Sequence, residues 1–239
     1  VTDPLLEHLL EATGLEVEEV IAVGVPEDRL GFLIRELLRF FPEHAHVAGE
    51  LAEAWEGDWP DDEVIIHAWL LEVAGEPVGF TIFHTSLRRQ VILQHFVGIE
   101  PEARPHLPMR WIKDLADAVL AVGMRDCEER GTTLLATIGE NQPEHTRAWE
   151  RFGYVTLDID YHEPVHGRHW REHGDLRFFE MTPQIRLTDA GRQQPFPAVV
   201  DQAVCAFLVD HYLLPEDEPT VVRTRARIAG LPAAAPAAH

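Results

Sequence analysis

The stretch His162-Glu163-Pro164-Val165-His166 spells a pattern in which two histidines four residues apart bind zinc and the glutamate between them serves as a base. His169 and His173 follow closely. That chemistry requires a helix, because only a helix brings both imidazoles to one face. Pro164 inside the pattern, Gly167 just after it and an alternating segment just before it argue against one. A metal-dependent hydrolase is therefore a remote reading, and no metal ligands are assigned. Cys127 and Cys205 are too few for a disulfide framework and lack the paired spacing of a zinc site, which suits a reducing, cytoplasmic compartment.

Charge narrows the partners. The 239 residues carry 41 acidic against 20 basic side chains, a formal net charge of −21, which repels nucleic acid and anionic lipid. Such a surface can attract cationic amines, although it serves more commonly for solubility. Val1 to Leu10 does not combine a basic region with a long apolar run, and no stretch of ~18 apolar residues occurs, so neither a leader nor a membrane span is expected.

The elements that must position any site follow from periodicity and punctuation. Residues 4 to 13 read as a helix ended by Gly14, and Val20 to Val25 as a strand. Leu30, Leu33, Ile34, Leu37, Leu38 and Phe41 recur at helical spacing between Pro26 and Pro42, and a second helix spans His46 to Trp55. Val64 to Val73 and Val78 to His84 form a hairpin around Ala74-Gly75-Glu76-Pro77, and Val91 to Ile99 is a third strand. A long helix with Ile112, Leu115, Ala116, Val119 and Leu120 on one face runs to Gly131. Thr132 to Ile138 reads as a buried strand, Glu144 to Phe152 as a short helix, and Tyr154 to Tyr161 and Leu176 to Met181 as strands. The order predicts an α/β domain: a mixed sheet flanked by helices, with Val91 to Ile99 and Thr132 to Ile138 parallel and diverging near Gly98 and Gly139. Residues 1–187 form this domain, 1–15 being a helical extension. Residues 188–239 form a C-terminal helical appendage whose segment Ala198 to Leu214 packs through Val199, Ala203, Phe207 and either Leu208 or Tyr212, onto the domain or a second copy in a homodimer.

Two segments within this order carry a family resemblance. IEPEARPHLPM at 99–109 is similar to the V-x-P-x-x-R-G-x-G-x-G segment of the GNAT superfamily of acyl-coenzyme A-dependent N-acyltransferases. NQPEHTRAWERFGY at 141–154 is similar to that family's Asn-to-Gly-Phe/Tyr segment, and the succession of elements from Val20 to Met181 resembles the family throughout. The resemblance implies that the pantetheine arm of acetyl-coenzyme A, or another acyl-coenzyme A, pairs with the edge Val97, Gly98 and Ile99. Its pyrophosphate would meet Arg104, His106, Met109 and Arg110 at the start of the long helix, where amides and the helix dipole favour anions. Asn141 and Trp149 complete the implied cofactor residues.

The same comparison exposes departures. Pro105, Leu107 and Met109 stand where the family has glycines, and Pro105 and Pro108 lack an N–H, so the loop is degenerate. Trp149 takes the place of a tyrosine that protonates the leaving thiolate in many members, and indole cannot do so. The resemblance implies His95, on the face of Ile99, as first candidate for the base, Glu100 as second, and Tyr154 or Tyr161 as acid. The His-rich loop at 162–173 would shape the acceptor site. The sequence thus points to acyl transfer from coenzyme A to a primary amine of a small molecule or protein. Its alternative is a cofactor-free binding module of the same fold.

Overall fold

A computed structural model of the protein describes residues 6, 10–21, 25–174 and 176–236. In chain order it contains β1 (Glu16–Glu19), α1 (Glu27–Phe40), α2 (Val47–Glu56), β2 (Val64–Val73), β3 (Glu76–Ser86), β4 (Val91–Ile99), α3 (Trp111–Glu129) and β5 (Ala136–Asn141). There follow α4 (Thr146–Glu150), β6 (Val155–Thr156), β7 (His162–Pro164), α5 (Trp170–His173), β8 (Phe178–Glu180), β9 (Thr182–Leu187), α6 (Asp189–Arg192), α7 (Phe196–Cys205) and α8 (Pro219–Ile228). Hydrogen bonds join seven strands in the order β1-β2-β3-β4-β5-β9-β6, while β7 and β8 form a separate pair. The chain divides into two compact units. One is Val1–His84 with His95–Asp126, the other Thr85–Gln94 with Cys127–His239.

In the first unit, β1 pairs antiparallel with β2 from Glu16–Glu72 to Glu19–Trp69. Ala74 and Gly75 join β2 to β3 with φ of 53° and 78°, the two left-handed residues that a tight hairpin turn requires. The apolar stripe of α1 buries Leu30, Leu33 and Leu37 in a core with Val47 and Leu51 of α2 and Ala68, Leu70, Phe80, Ile82 and Phe96 of the strands. β3 and β4 approach so closely that a Cβ on Gly79 would stand 2.2 Å from the carbonyl oxygen of Gly98.

In the second unit, β4 and β5 are parallel, in register from Val91–Ala136 to Gln94–Gly139, and β9 lies antiparallel to β5 along its length. α7 packs into this core: Val199, Val200, Ala203 and Val204 are buried with Val91, Leu93, Ile138 and Ile185. The helical path continues as a π-helical stretch over Ala206–His211, burying Ala206, Phe207, Leu208 and His211. The expected helix through Val199, Ala203 and Phe207 is thus present, with a change of pitch after Cys205.

Several expected boundaries are corrected. The first strand is Glu16–Glu19 rather than Val20 to Val25, of which residues 22–24 lie outside the described ones. Residues 4–9 of the expected first helix lie largely outside them too, and its end is a 3-10 turn, Glu11–Thr13, closed by Gly14 at φ 68°. Only Val155–Thr156 of the segment Tyr154 to Tyr161 is strand, and Phe178–Glu180 pairs with β7 instead of joining the main sheet. The strand that does join is β9, hidden in the sequence because a glutamine stands fully buried in it beside Ile185. Gln184 is fully buried, and its side chain bonds Asn141, the carbonyl of Thr146 and the hydroxyl of Thr156. β4 pairs with β5 only as far as Gln94, four residues short of the expected Gly98, whereas Gly139 is the last paired residue on β5, as anticipated.

Candidate functional site

The end of β4 and the start of α3 lie in the first unit. Gly98 is buried, and a Cβ there would stand 2.6 Å from the Phe80 ring. Beyond Ile99 the chain makes a 3-10 turn, Arg104–His106, and α3 begins at Trp111, two residues after Met109. The loop is open to solvent: Arg104, Pro105, His106, Pro108, Met109 and Arg110 are all exposed, Met109 almost completely at 99%. The Nε of Arg104 donates to the carbonyl of Ile99 at 3.2 Å. Neither Arg104 nor His106 has a carboxylate partner among the described residues. Arg110 differs, since its guanidinium is held by Asp114 one turn into the helix, at 2.8 Å. Asp114 thereby places an anion in the first turn, where the dipole favours one and where it competes with any bound anion.

The candidate bases are each engaged. Glu100 forms an ion pair with Arg39, which also pairs with Glu36 at 2.6 Å and lies over the Phe40 ring. His95 Nε2 stands 3.2 Å from His84 Nδ1. Burial, followed by the charges of His44 and His46, pulls His95 down to about 3, so it is a neutral imidazole of low proton affinity. Beside the pair is a small cavity lined by Val47, Glu50, Leu51, Ile66, Ile82, His84 and His95, with room for about one water molecule.

The same unit holds a group that sequence reasoning missed. His67, buried on β2, lies between two carboxylates, its Nδ1 2.7 Å from Glu19 and its Nε2 3.0 Å from Asp126, and its ring stacks on Phe83. Glu19 also accepts from the Trp69 indole at 2.9 Å. Burial alone would depress the imidazole, but hydrogen bonds to Asp126 and Glu19 outweigh it and raise His67 to about 9. It is a buried cation fixing β1, β2 and α3. No local motif signals it, since its partners are 48 and 59 residues away.

In the second unit, Asn141 Nδ2 donates to Gln184 at 3.1 Å, and Trp149 packs edge-on against Tyr154. Tyr154 is buried with its hydroxyl donating to Gln94 Oε1 at 2.9 Å. Glu140, one residue beyond the end of the pairing of β5 with β4, receives hydroxyl hydrogen bonds from Tyr161 on one oxygen and Tyr212 on the other. Burial, then the charge of Glu163, pushes Glu140 well above the usual carboxylate range, against these two hydrogen bonds. A carboxyl raised in the folded state stabilises it only while protonated, so stability falls as pH rises above the unfolded value of 4.5. Glu140→Gln is therefore expected to gain stability over the parent increasingly from pH 5 to 8, as read by thermal unfolding; a constant offset across that range would show that Glu140 does not titrate in it. The zinc-like pattern is not helical: His162 to Pro164 is β7, Glu163 is buried, and His166 stacks on His173 with ring centres 3.8 Å apart.

No protein-family model and no curated protein sequence matches the chain. Among solved structures, it is similar to a variant of the spermidine N-acetyltransferase SpeG from Vibrio cholerae, at 14% identity and a TM-score of 0.47, over 73% of this chain and 94% of that one. It is similar to Tetrahymena GCN5, at 6% identity and a TM-score of 0.48, over 74% and 96%. A Bacillus subtilis acetyltransferase in complex with CoA aligns at 14% identity and a TM-score of 0.44, over 73% and 99%. Among the described residues no helix is long and apolar enough to cross a membrane. The seven-stranded sheet is mixed, with β4 and β5 parallel and joined through α3 and β9 antiparallel beside β5, so the chain has the α/β architecture expected from its order of elements.

Proposed function

We propose that the protein is an N-acyltransferase moving an acetyl or related acyl group from coenzyme A to a primary amine of a small molecule or protein. The observation that best supports this is Arg104 with His106. In a chain with twice as many acidic as basic residues, two exposed cationic or proton-donating side chains stand without carboxylate partners among the described residues, just before a 19-residue helix. Coenzyme A, when bound, supplies the acyl group as a thioester. Arg104 would bind its pyrophosphate through a charge-assisted hydrogen bond, His106 would add a ring N–H, and the first amides of α3 would contribute where Pro105 and Pro108 cannot. Val97, Gly98 and Ile99 would offer main-chain groups to the pantetheine arm.

A second reading, a binding module that has lost the cofactor, is favoured by the same loop: two prolines without N–H groups, and Arg110 already neutralised by Asp114. Calorimetric titration with coenzyme A and acetyl-coenzyme A separates the two. Binding that weakens with salt supports the transferase, and Arg104→Ala is expected to weaken it roughly ten- to hundredfold. Arg110→Ala should have a smaller effect because Asp114 already holds that guanidinium. No detectable binding at millimolar ligand overturns the transferase and leaves the binding module.

A further inference from the structure

The second unit contains two buried glutamines whose hydrogen bonding differs. Gln94 on β4 faces Gly139 on β5, and Gly139 faces Gln184 on β9, so the three form one row on a single face of the sheet. The other face is apolar: in the next row Leu93, Ile138 and Ile185 are buried in the core with α7. Gln184 uses its whole amide. Its Oε1 accepts from Asn141, and its Nε2 donates to the carbonyl of Thr146 and to the hydroxyl of Thr156.

Gln94 uses only half of its amide. Its side chain is 6% exposed, and its Oε1 accepts the hydroxyl of buried Tyr154 at 2.9 Å. That bond fixes which way the amide is turned, and the Nε2 at its other end is buried with no hydrogen-bond partner among the described residues. A buried N–H without an acceptor works against folding, and such a group is retained where a ligand supplies the acceptor. Gly139 leaves space beside it, since a Cβ there would meet no atom closer than 3.6 Å. Gln94 and Gly139 are also the last residues that β4 and β5 pair, so the donor stands where the two strands stop bonding each other.

An acyl thioester offers the group that this donor lacks. Its carbonyl oxygen accepts hydrogen bonds, and donation to that oxygen draws electron density from the carbonyl carbon, the atom that an amine nitrogen attacks. We propose that Gln94 donates through Nε2 to the carbonyl oxygen of the acyl group, and that Tyr154 is the positioning residue that holds the amide for it. The inference deepens the acyltransferase reading and rests on it.

The test sets acetyl-coenzyme A against coenzyme A, which lacks the thioester carbonyl, in calorimetric titrations of the full-length protein. Infrared difference spectra with acetyl-coenzyme A carrying ¹³C at that carbonyl accompany them. The parent is expected to bind acetyl-coenzyme A about three- to tenfold more tightly than coenzyme A. Gln94→Met, similar in size but without the N–H, is expected to abolish that preference, keep the affinity for coenzyme A and move the carbonyl band to higher wavenumber. Tyr154→Phe should move the band in the same direction by less, and it decides the question if Gln94→Met does not fold. Thr137→Val removes a buried hydroxyl that also has no partner among the described residues and stands two residues before Gly139 on the same face, and it should leave band and preference unchanged. A carbonyl band at the same position in the parent, Gln94→Met and Tyr154→Phe overturns the proposal and leaves the transferase standing, provided that the parent binds coenzyme A. A shift seen in Thr137→Val instead of Gln94→Met also overturns it. No binding of either ligand by the parent overturns both.

Discussion

His67→Ala is expected to destabilise the protein by about 3–5 kcal/mol at pH 6, because it removes the cation between Glu19 and Asp126 and leaves two carboxylates facing a site that water reaches poorly. The imidazole rises from 6.5 to about 9 on folding, which corresponds to ~3 kcal/mol of linkage. The sign follows from a raised basic group: its stabilisation is fully present below pH 6.5 and is lost as pH climbs through 9. Urea unfolding at pH 6 and pH 9 should therefore show a large difference between parent and His67→Ala at the lower pH and a small one at the higher. Converting all three groups together, as His67→Leu with Glu19→Gln and Asp126→Asn, should recover much of the loss, since no charge then remains buried without its counterpart. An effect of equal size at both pH values would mean that packing on Phe83 and Trp69, rather than charge, gives His67 its importance.

Phe207→Ala is expected to cost a similar ~3–5 kcal/mol. Its side chain is fully buried, stacks on Tyr212 with ring centres 5.9 Å apart, and belongs to the core that α7 shares with β5 and β9. Removing the ring leaves a cavity next to the π-helical stretch and loosens Tyr212, whose hydroxyl serves Glu140. Chemical unfolding measures the loss. A change below about 1 kcal/mol would show that the Phe207 ring adds little to the core that α7 shares with β5 and β9.

How far the site was legible depended on whether its parts were local. β2 and β4 were read to the residue and α1 nearly so, because an uninterrupted apolar run or a 3.6-residue stripe is a local property bounded by Pro42 and the turn at Ala74-Gly75. The end of the parallel pairing at Gly139 was also anticipated. β9 was not, because Gln184 occupies a fully buried position in it and satisfies its amide through partners on β5, α4 and β6. The strand from Tyr154 to Tyr161 was over-read for the opposite reason. Alternation persists through it, yet only Val155 and Thr156 find a neighbouring strand, facing Ile185 and Gln184.

By itself the amino-acid sequence determined the class of fold, the parallel strands with their long crossover helix, and an Arg-bearing loop before that helix, because hydrophobic period and proline or glycine punctuation act over a few residues at a time. Only the tertiary structure decided which charges are engaged. Arg110 is occupied by Asp114 while Arg104 has no carboxylate partner among the described residues, Glu100 belongs to Arg39, and His95 faces His84. It also revealed His67 between Glu19 and Asp126, and Glu140 between two tyrosine hydroxyls. The proton affinity of each group depends on burial and on partners brought in by folding, up to 72 residues away along the chain, and no local pattern encodes those.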